Sequence, residues 1–167
     1  MVRARMLGGW VGFLLMAPGR VACQHPKDPS PRSLPATSPD PYVTILHTSN
    51  SGIHGAERTV IADSVAWAQM WGRLMAMHPF PPPRPPVDFD STLVIVAASG
   101  NRAAGTSIRI DSTRLLKDEL VVYVRQSSSG VGCMGDMMVR YPAHAIQVRR
   151  TDKPVRFVND SIITSKC

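Results

Sequence analysis

Residues 88–110 read DFDSTLVIVAASGNRAAGTSIRI, and the way this stretch is completed decides the fold. Leu93-Val94-Ile95-Val96-Ala97-Ala98 is one apolar strand. A turn bounded by Gly100 and Gly105 leads into a second strand that alternates: Thr106, Ile108 and Ile110 share one face, Ser107, Arg109 and Asp111 the other. The two glycines with Thr106 and Ser107 approach the phosphate-cradling spacing G-x-x-x-x-G-K-[ST]. No Lys precedes the hydroxyl residues, however, and a strand follows Gly105 where that loop requires a helix N-terminus. The stretch therefore reads as a sheet element, a hairpin closed by the Gly100 turn, and not as a nucleotide site.

The sheet continues downstream. Leu120, Val122 and Val124 repeat the alternation after a polar turn at Lys117-Asp118-Glu119. Residues 141–148 and 155–157 read as a last hairpin around Thr151-Asp152-Lys153-Pro154. Upstream, residues 42–46 and 58–61 are rich in strand formers, and Asp63-Ser64 is a good N-cap for a helix over about 64–77. That helix places Trp67, Met70, Trp71 and Leu74 at i, i+3, i+4 and i+7, one apolar face that anchors on a sheet, with a ligand-stacking Trp pair as the alternative. Residues 78–86, HPFPPPRPP, stop the helix, because proline neither continues a helix nor donates to a ladder. They read as a polyproline crossover, with a P-x-x-P docking peptide as the other possibility. One helix against a mainly antiparallel sheet is an α+β architecture; a small all-β barrel or sandwich is the alternative.

The ends of the chain carry a different message. Val2-Arg3-Ala4-Arg5 followed by an apolar run at 6–17 has the layout of a secretory signal, so residues 1–22 read as a signal peptide. The apolar run is short for a membrane span. It ends in Arg20-Val21-Ala22-Cys23, which resembles a bacterial lipobox except that Arg20 stands where Leu is usual. Cys23 is thus the candidate for lipid attachment, and simple cleavage to a soluble periplasmic or secreted protein is the alternative. Residues 24–41 hold six prolines in 18 residues and little to bury, so 23–41 read as a semi-rigid tether. The folded domain occupies 42–167. Cys133 and Cys167 remain as an even pair in an oxidising compartment. Joined, they close a loop of about 35 residues, worth about 3 kcal/mol; otherwise both stay free thiols.

A chain of 167 residues, 44% hydrophobic, fits one domain with dispensable ends. The formal charge of +7 falls to +4 once Arg3, Arg5 and Arg20 are assigned to the signal, leaving 16 basic against 12 acidic residues. Without a basic cluster interleaved with aromatics, a nucleic-acid partner is not expected. Catalytic signatures are missing too: there is no G-x-S-x-G elbow and no H-E-x-x-H helix. His47 and His54 meet across a turn without a third ligand, which favours surface imidazoles over zinc. Asp88 and Asp90 point the same way in a strand and mark its start rather than an acid–base pair. No metal and no cofactor are expected.

Asp88-Phe89-Asp90, the apolar strand to Ala98, the Gly100 turn, Ser107 to Ile110, Leu120 to Val124, Gly130-Val131-Gly132-Cys133 and Tyr141-Pro142 with its following strand occur in an order and spacing that resemble the C-terminal domain of the protease complex subunit PrcB family. The likeness covers about 88–157 as the family core. The helix with Ala66, Trp67 and Trp71 is similar to the segment often found before it. The family's Thr-Gly-Gly-Tyr-like turn is replaced by Ala103-Ala104-Gly105-Thr106, so the aromatic side chain and one glycine are missing. The resemblance implies an exported, lipid-anchored accessory protein of the bacterial cell envelope that binds and supports a protease complex or another exported protein and has no catalytic residues of its own. The turn Asn101, Arg102, Ala103, Ala104, Gly105 and Thr106 is the candidate partner contact. A small hydrolase or ligand-binding protein, with a site assembled from distant residues, is the alternative, and a pocket gathering His54, Asp88 and a Ser or Cys would mark it. Nothing in the residues speaks to oligomeric state.

Overall fold

The apolar run becomes β3 (Thr92–Ser99), and every residue from Leu93 to Ser99 is buried. A strand apolar on both faces needs a layer on each side. It has them in the computed structural model of the chain, which describes residues 41–103, 105–129 and 138–164. Val94, Val96 and Ala98 pack with the helix α1 (Ser64–Met75), whereas Leu93, Ile95 and Ala97 point at a second sheet.

The first sheet has four strands. β1 (Tyr42–Thr48) and β2 (Ala56–Ile61) are its edges, and β3 and β6 (Ala143–Arg149) its centre, in the order β1-β6-β3-β2 with every neighbour antiparallel. The second holds β4 (Ser107–Leu115), β5 (Leu120–Ser129) and β7 (Val155–Thr164), in the order β4-β5-β7. β4 and β5 form an antiparallel hairpin; β5 and β7 run parallel. The fold is α+β: mainly antiparallel strands with one short helix and no closed barrel.

The helix follows its sequence pattern. The Asp63 carboxylate accepts hydrogen bonds from Val65 N (2.9 Å) and Ala66 N (2.8 Å), satisfying amides that a helix start leaves open. Trp67, Met70, Trp71, Leu74 and Met75 are buried on one side. The Trp pair is structural: the two rings lie 5.4 Å apart, and their indole N–H groups donate to Pro85 O (3.1 Å) and Pro82 O (3.3 Å). The proline-rich crossover therefore lies across the helix as a strap, its carbonyls taking the polar ends of two buried rings.

Two expected hairpins are absent. β3 and the following β4 belong to different sheets, so the Gly100 turn is a step from one layer to the other. β6 and β7 are likewise split, with 150–154 crossing between layers. The reason is edge availability. β6 is flanked by β1 and β3 and has no free side for β7, which adds instead to the open side of β5. Gly100, at φ 70°, sits where a Cβ would come within 2.7–2.8 Å of the backbone of His54, Gly55 and Ala56, so both its conformation and the close approach demand glycine. The carboxylates of 88–90 also differ from expectation, lying in a turn ahead of β3. Asp88 accepts from Asp90 N (3.0 Å) and Ser91 Oγ (2.6 Å), and these bonds, the Ser91 one foremost, hold its carboxyl below the usual range.

Candidate functional site

The edges of the two sheets meet differently on the two sides of the molecule. On one side the outer edge of β4 faces β1 and β6. An uncovered strand edge leaves backbone groups unpaired, and here side chains of the other sheet take them. His47 Nε2 donates to Ile108 O (3.0 Å), the Tyr42 hydroxyl donates to Ile110 O (3.1 Å), and Ile110 N donates to His144 Nδ1 (2.8 Å).

Strand registers make this convergence possible. Tyr42 and Thr44 face the second sheet, and simple alternation would put Leu46 there next. A register shift between Thr44 and Leu46 sends Ile45 and Leu46 to the helix-side core and brings His47 over β4. A second shift, between Ile110 and Ser112, interrupts the β4–β5 pairing where Tyr42 and His144 bind. This side is a polar seam closed by hydrogen bonds.

His144 is its keystone. It is 3% exposed, between Ala143 and Ala145 in sequence but on the same face as Ile146 and Val148. Because Nδ1 must accept from an amide, the ring proton is on Nε2, which donates to Thr44 Oγ1 (3.1 Å). Burial lowers its pKa to about 4; the His47 ring, with its centroid 4.8 Å away, and Arg109 push in the same direction, and Asp111 opposes them. The imidazole is thus neutral near pH 7, and its nitrogens are both engaged.

On the opposite side, β2 and β7 leave a cleft of about 290 Å³ lined by Arg58, Arg102, Gln126, Asn159 and Ser161, with Val124 of the intersheet core also on its wall. Arg58 crosses it: Nε donates to Asn159 Oδ1 (3.0 Å) while Nη1 reaches Ala98 O (2.7 Å) and Glu57 O (2.8 Å). Burial, with Arg102 adding repulsion, pulls the Arg58 pKa below its ordinary value, though an arginine still keeps its charge. Glu57 and Asp160 line the cleft as well, each next to a different arginine. Glu57 makes a two-toothed pair with Arg73 of the helix, which holds its carboxyl below the usual range, and Asp160 lies 3.6 Å from Arg125.

The turn expected to touch a partner forms one rim of this cleft. Arg102 and Arg140 exchange backbone hydrogen bonds (2.9 and 2.8 Å), Asn101 N donates to His54 O (3.1 Å), and Thr106 is buried. Ala103 and Gly105 are exposed, and Gly105 takes φ 79°. Ala104 lies outside the described residues, as do Cys23, Cys133, Cys167, the signal segment and nearly all of the tether. His47 and His54 do not meet: His47 packs against His144 with the rings tilted 53°, and His54 lies edge-on to Tyr141 with centroids 4.6 Å apart. Asp88 lines an open hollow with Asp63, Ser64, Asp90 and Arg150, His54 is not part of it, and the Asp88 carboxylate is turned to its own loop, so the two are not gathered in one pocket. Among the described residues no three His, Cys, Asp or Glu side chains group to hold a metal ion, and no helix is long and apolar enough to cross a membrane.

Sequence reading passed over both His144 and Arg58. The signal was parity: His144 alternates in step with Ile146 and Val148, and Arg58 with Val60, so each stands on an inward face. No family model, curated protein or solved structure matches this chain.

Proposed function

We propose that this chain is a non-catalytic docking protein of the bacterial envelope, lipid-anchored through Cys23, that binds an exported protein, in the manner the PrcB-like order of its residues implies, with a protease complex as the first candidate. The observation that carries the docking reading is the outer edge of β7. Among the described edge strands β7 is the longest, at ten residues, and its β5 pairing carries no register shift. β4 has its outer edge taken by side chains, β1 carries a shift, and β2 has six residues. An extended segment of a partner adds to such an edge through main-chain hydrogen bonds, with side-chain pockets beside it supplying selectivity. The Arg58 cleft lies beside β7.

The test is site-directed photocrosslinking in cells, with a photoreactive residue at Asp160 on β7 and, for comparison, at Val65, 66% exposed on the helix. Purification of the full chain from membranes is expected to recover one exported protein crosslinked from position 160 and none from 65. No specific adduct at 160, or the same adducts at both positions, would overturn the reading.

A further inference from the structure

We infer that the cleft between β2 and β7 is a carboxylate-binding site that receives an Asp or Glu side chain from the segment docked on β7. The cleft gathers two guanidiniums, from Arg58 and Arg102, and neither has a carboxylate partner among the described residues. Glu57 and Asp160 also line it, but Glu57 is paired with Arg73 and Asp160 lies 3.6 Å from Arg125, so neither neutralises Arg58 or Arg102 directly. Arg58 Nη2 has no acceptor among the described residues, while its Nε and Nη1 are fixed on Asn159, Glu57 and Ala98. An arginine held by its other nitrogens presents a pre-oriented donor, and a planar guanidinium suits the two oxygens of a carboxylate. The Gln126, Asn159 and Ser161 side chains add further hydrogen-bonding groups along the wall.

The position of the cleft selects the kind of carboxylate. Asn159, Asp160 and Ser161 line it, and β7 continues on both sides of them, from Val155 to Thr164. A strand laid along β7 would therefore pass the cleft with its middle, offering a side chain there and not its terminus. Asp160 and Glu57 at the edge limit the positive excess, which favours a singly charged carboxylate over a doubly charged phosphate.

This inference deepens the docking reading and takes from it only the source of the carboxylate; the site is tested without any partner. Full-length protein is titrated by calorimetry with glutarate, with its neutral diamide and with inorganic phosphate. Glutarate is expected to saturate one site with a dissociation constant on the order of 1 mM, with the diamide silent and phosphate weaker. Arg102→Gln and Arg58→Lys are each expected to weaken glutarate about tenfold, the second because a lysine cannot reproduce the fork. Among the described residues the Arg102 side chain donates to the neighbouring Asn101 O, so its replacement leaves the described sheet contacts intact. No saturable glutarate binding, equal binding by the diamide, tighter phosphate, or an unchanged Arg102→Gln variant would each overturn the site. Glutarate binding without any crosslinked partner would remove the docking reading and the carboxylate's source together, and leave the anion site standing.

Discussion

Each side of the intersheet layer is bridged by a basic side chain, and the two bridges behave differently. At the β1/β6 side a neutral histidine is sunk among apolar residues and spends both nitrogens on the protein, one of them on a backbone amide of β4. At the β2 side a charged arginine crosses a cleft to Asn159, with one nitrogen unengaged among the described residues. Satisfying the last hydrogen bonds of an edge closes it; leaving charged donors beside an unpaired edge makes a place for another chain. On the proposed reading, stability is concentrated at the seam and binding at the mouth.

The largest expected difference between the sides is their response to acid. Unfolded, His144 titrates near the ordinary histidine value of 6.5; folded, it titrates at about 4. Between those values the unfolded chain takes up a proton that the native chain refuses, so stability is full above pH 6.5, falls as pH drops toward 4, and stops falling from this group below that. The loss is roughly 3 kcal/mol over the window, read by denaturant unfolding at a series of pH values. Glu57 and Glu119, whose carboxyls are held low by Arg73 and Arg156, add their losses below the ordinary carboxylate range and not between pH 5 and 6.5. Stability that is flat across pH 5 to 6.5 would show that the seam does not hold a neutral histidine.

Next in size is the removal of the keystone itself. His144→Leu leaves the Ile110 amide buried without an acceptor and is expected to lower stability by about 2 kcal/mol at pH 7, while abolishing the slope between pH 6.5 and 4. A variant that keeps the slope would assign it to another group.

How much of this was legible beforehand follows from what alternation encodes. The period of 2 in β4 correctly placed Thr106, Ile108 and Ile110 inside, and the 3.6 period correctly placed Trp67, Met70, Trp71 and Leu74 against the sheet. Periodicity reports which face is buried and is silent about which strand lies alongside. The turn after Ser99 and the crossing at 150–154 therefore read as hairpins when each connects two layers. The seam was hidden for a related reason: it depends on register shifts in β1 and β4, which bring Tyr42, His47 and His144 to one edge from positions as far apart as 42 and 144. The mouth was half visible, since Arg102 stands in the turn already marked as a contact, whereas Arg58 looked like one more strand residue.

The smallest effect is expected at the mouth. Arg58→Met removes the bonds to Asn159, Ala98 O and Glu57 O in a half-open site and is expected to lower stability by about 1 kcal/mol, with no new pH dependence, in the same unfolding assay. A loss as large as that of His144→Leu would mean that the cleft is a second seam.

Native-state amide hydrogen exchange compares the two edges within one sample. The Ile110 amide, on the outer edge of β4 and bonded to His144, is predicted to exchange only on global unfolding, as slowly as the amides of β3. The outward amides of β7 are predicted to exchange orders of magnitude faster. Rapid exchange at Ile110, or protection along the outer side of β7 equal to that of β3, would contradict the account of one closed side and one open one.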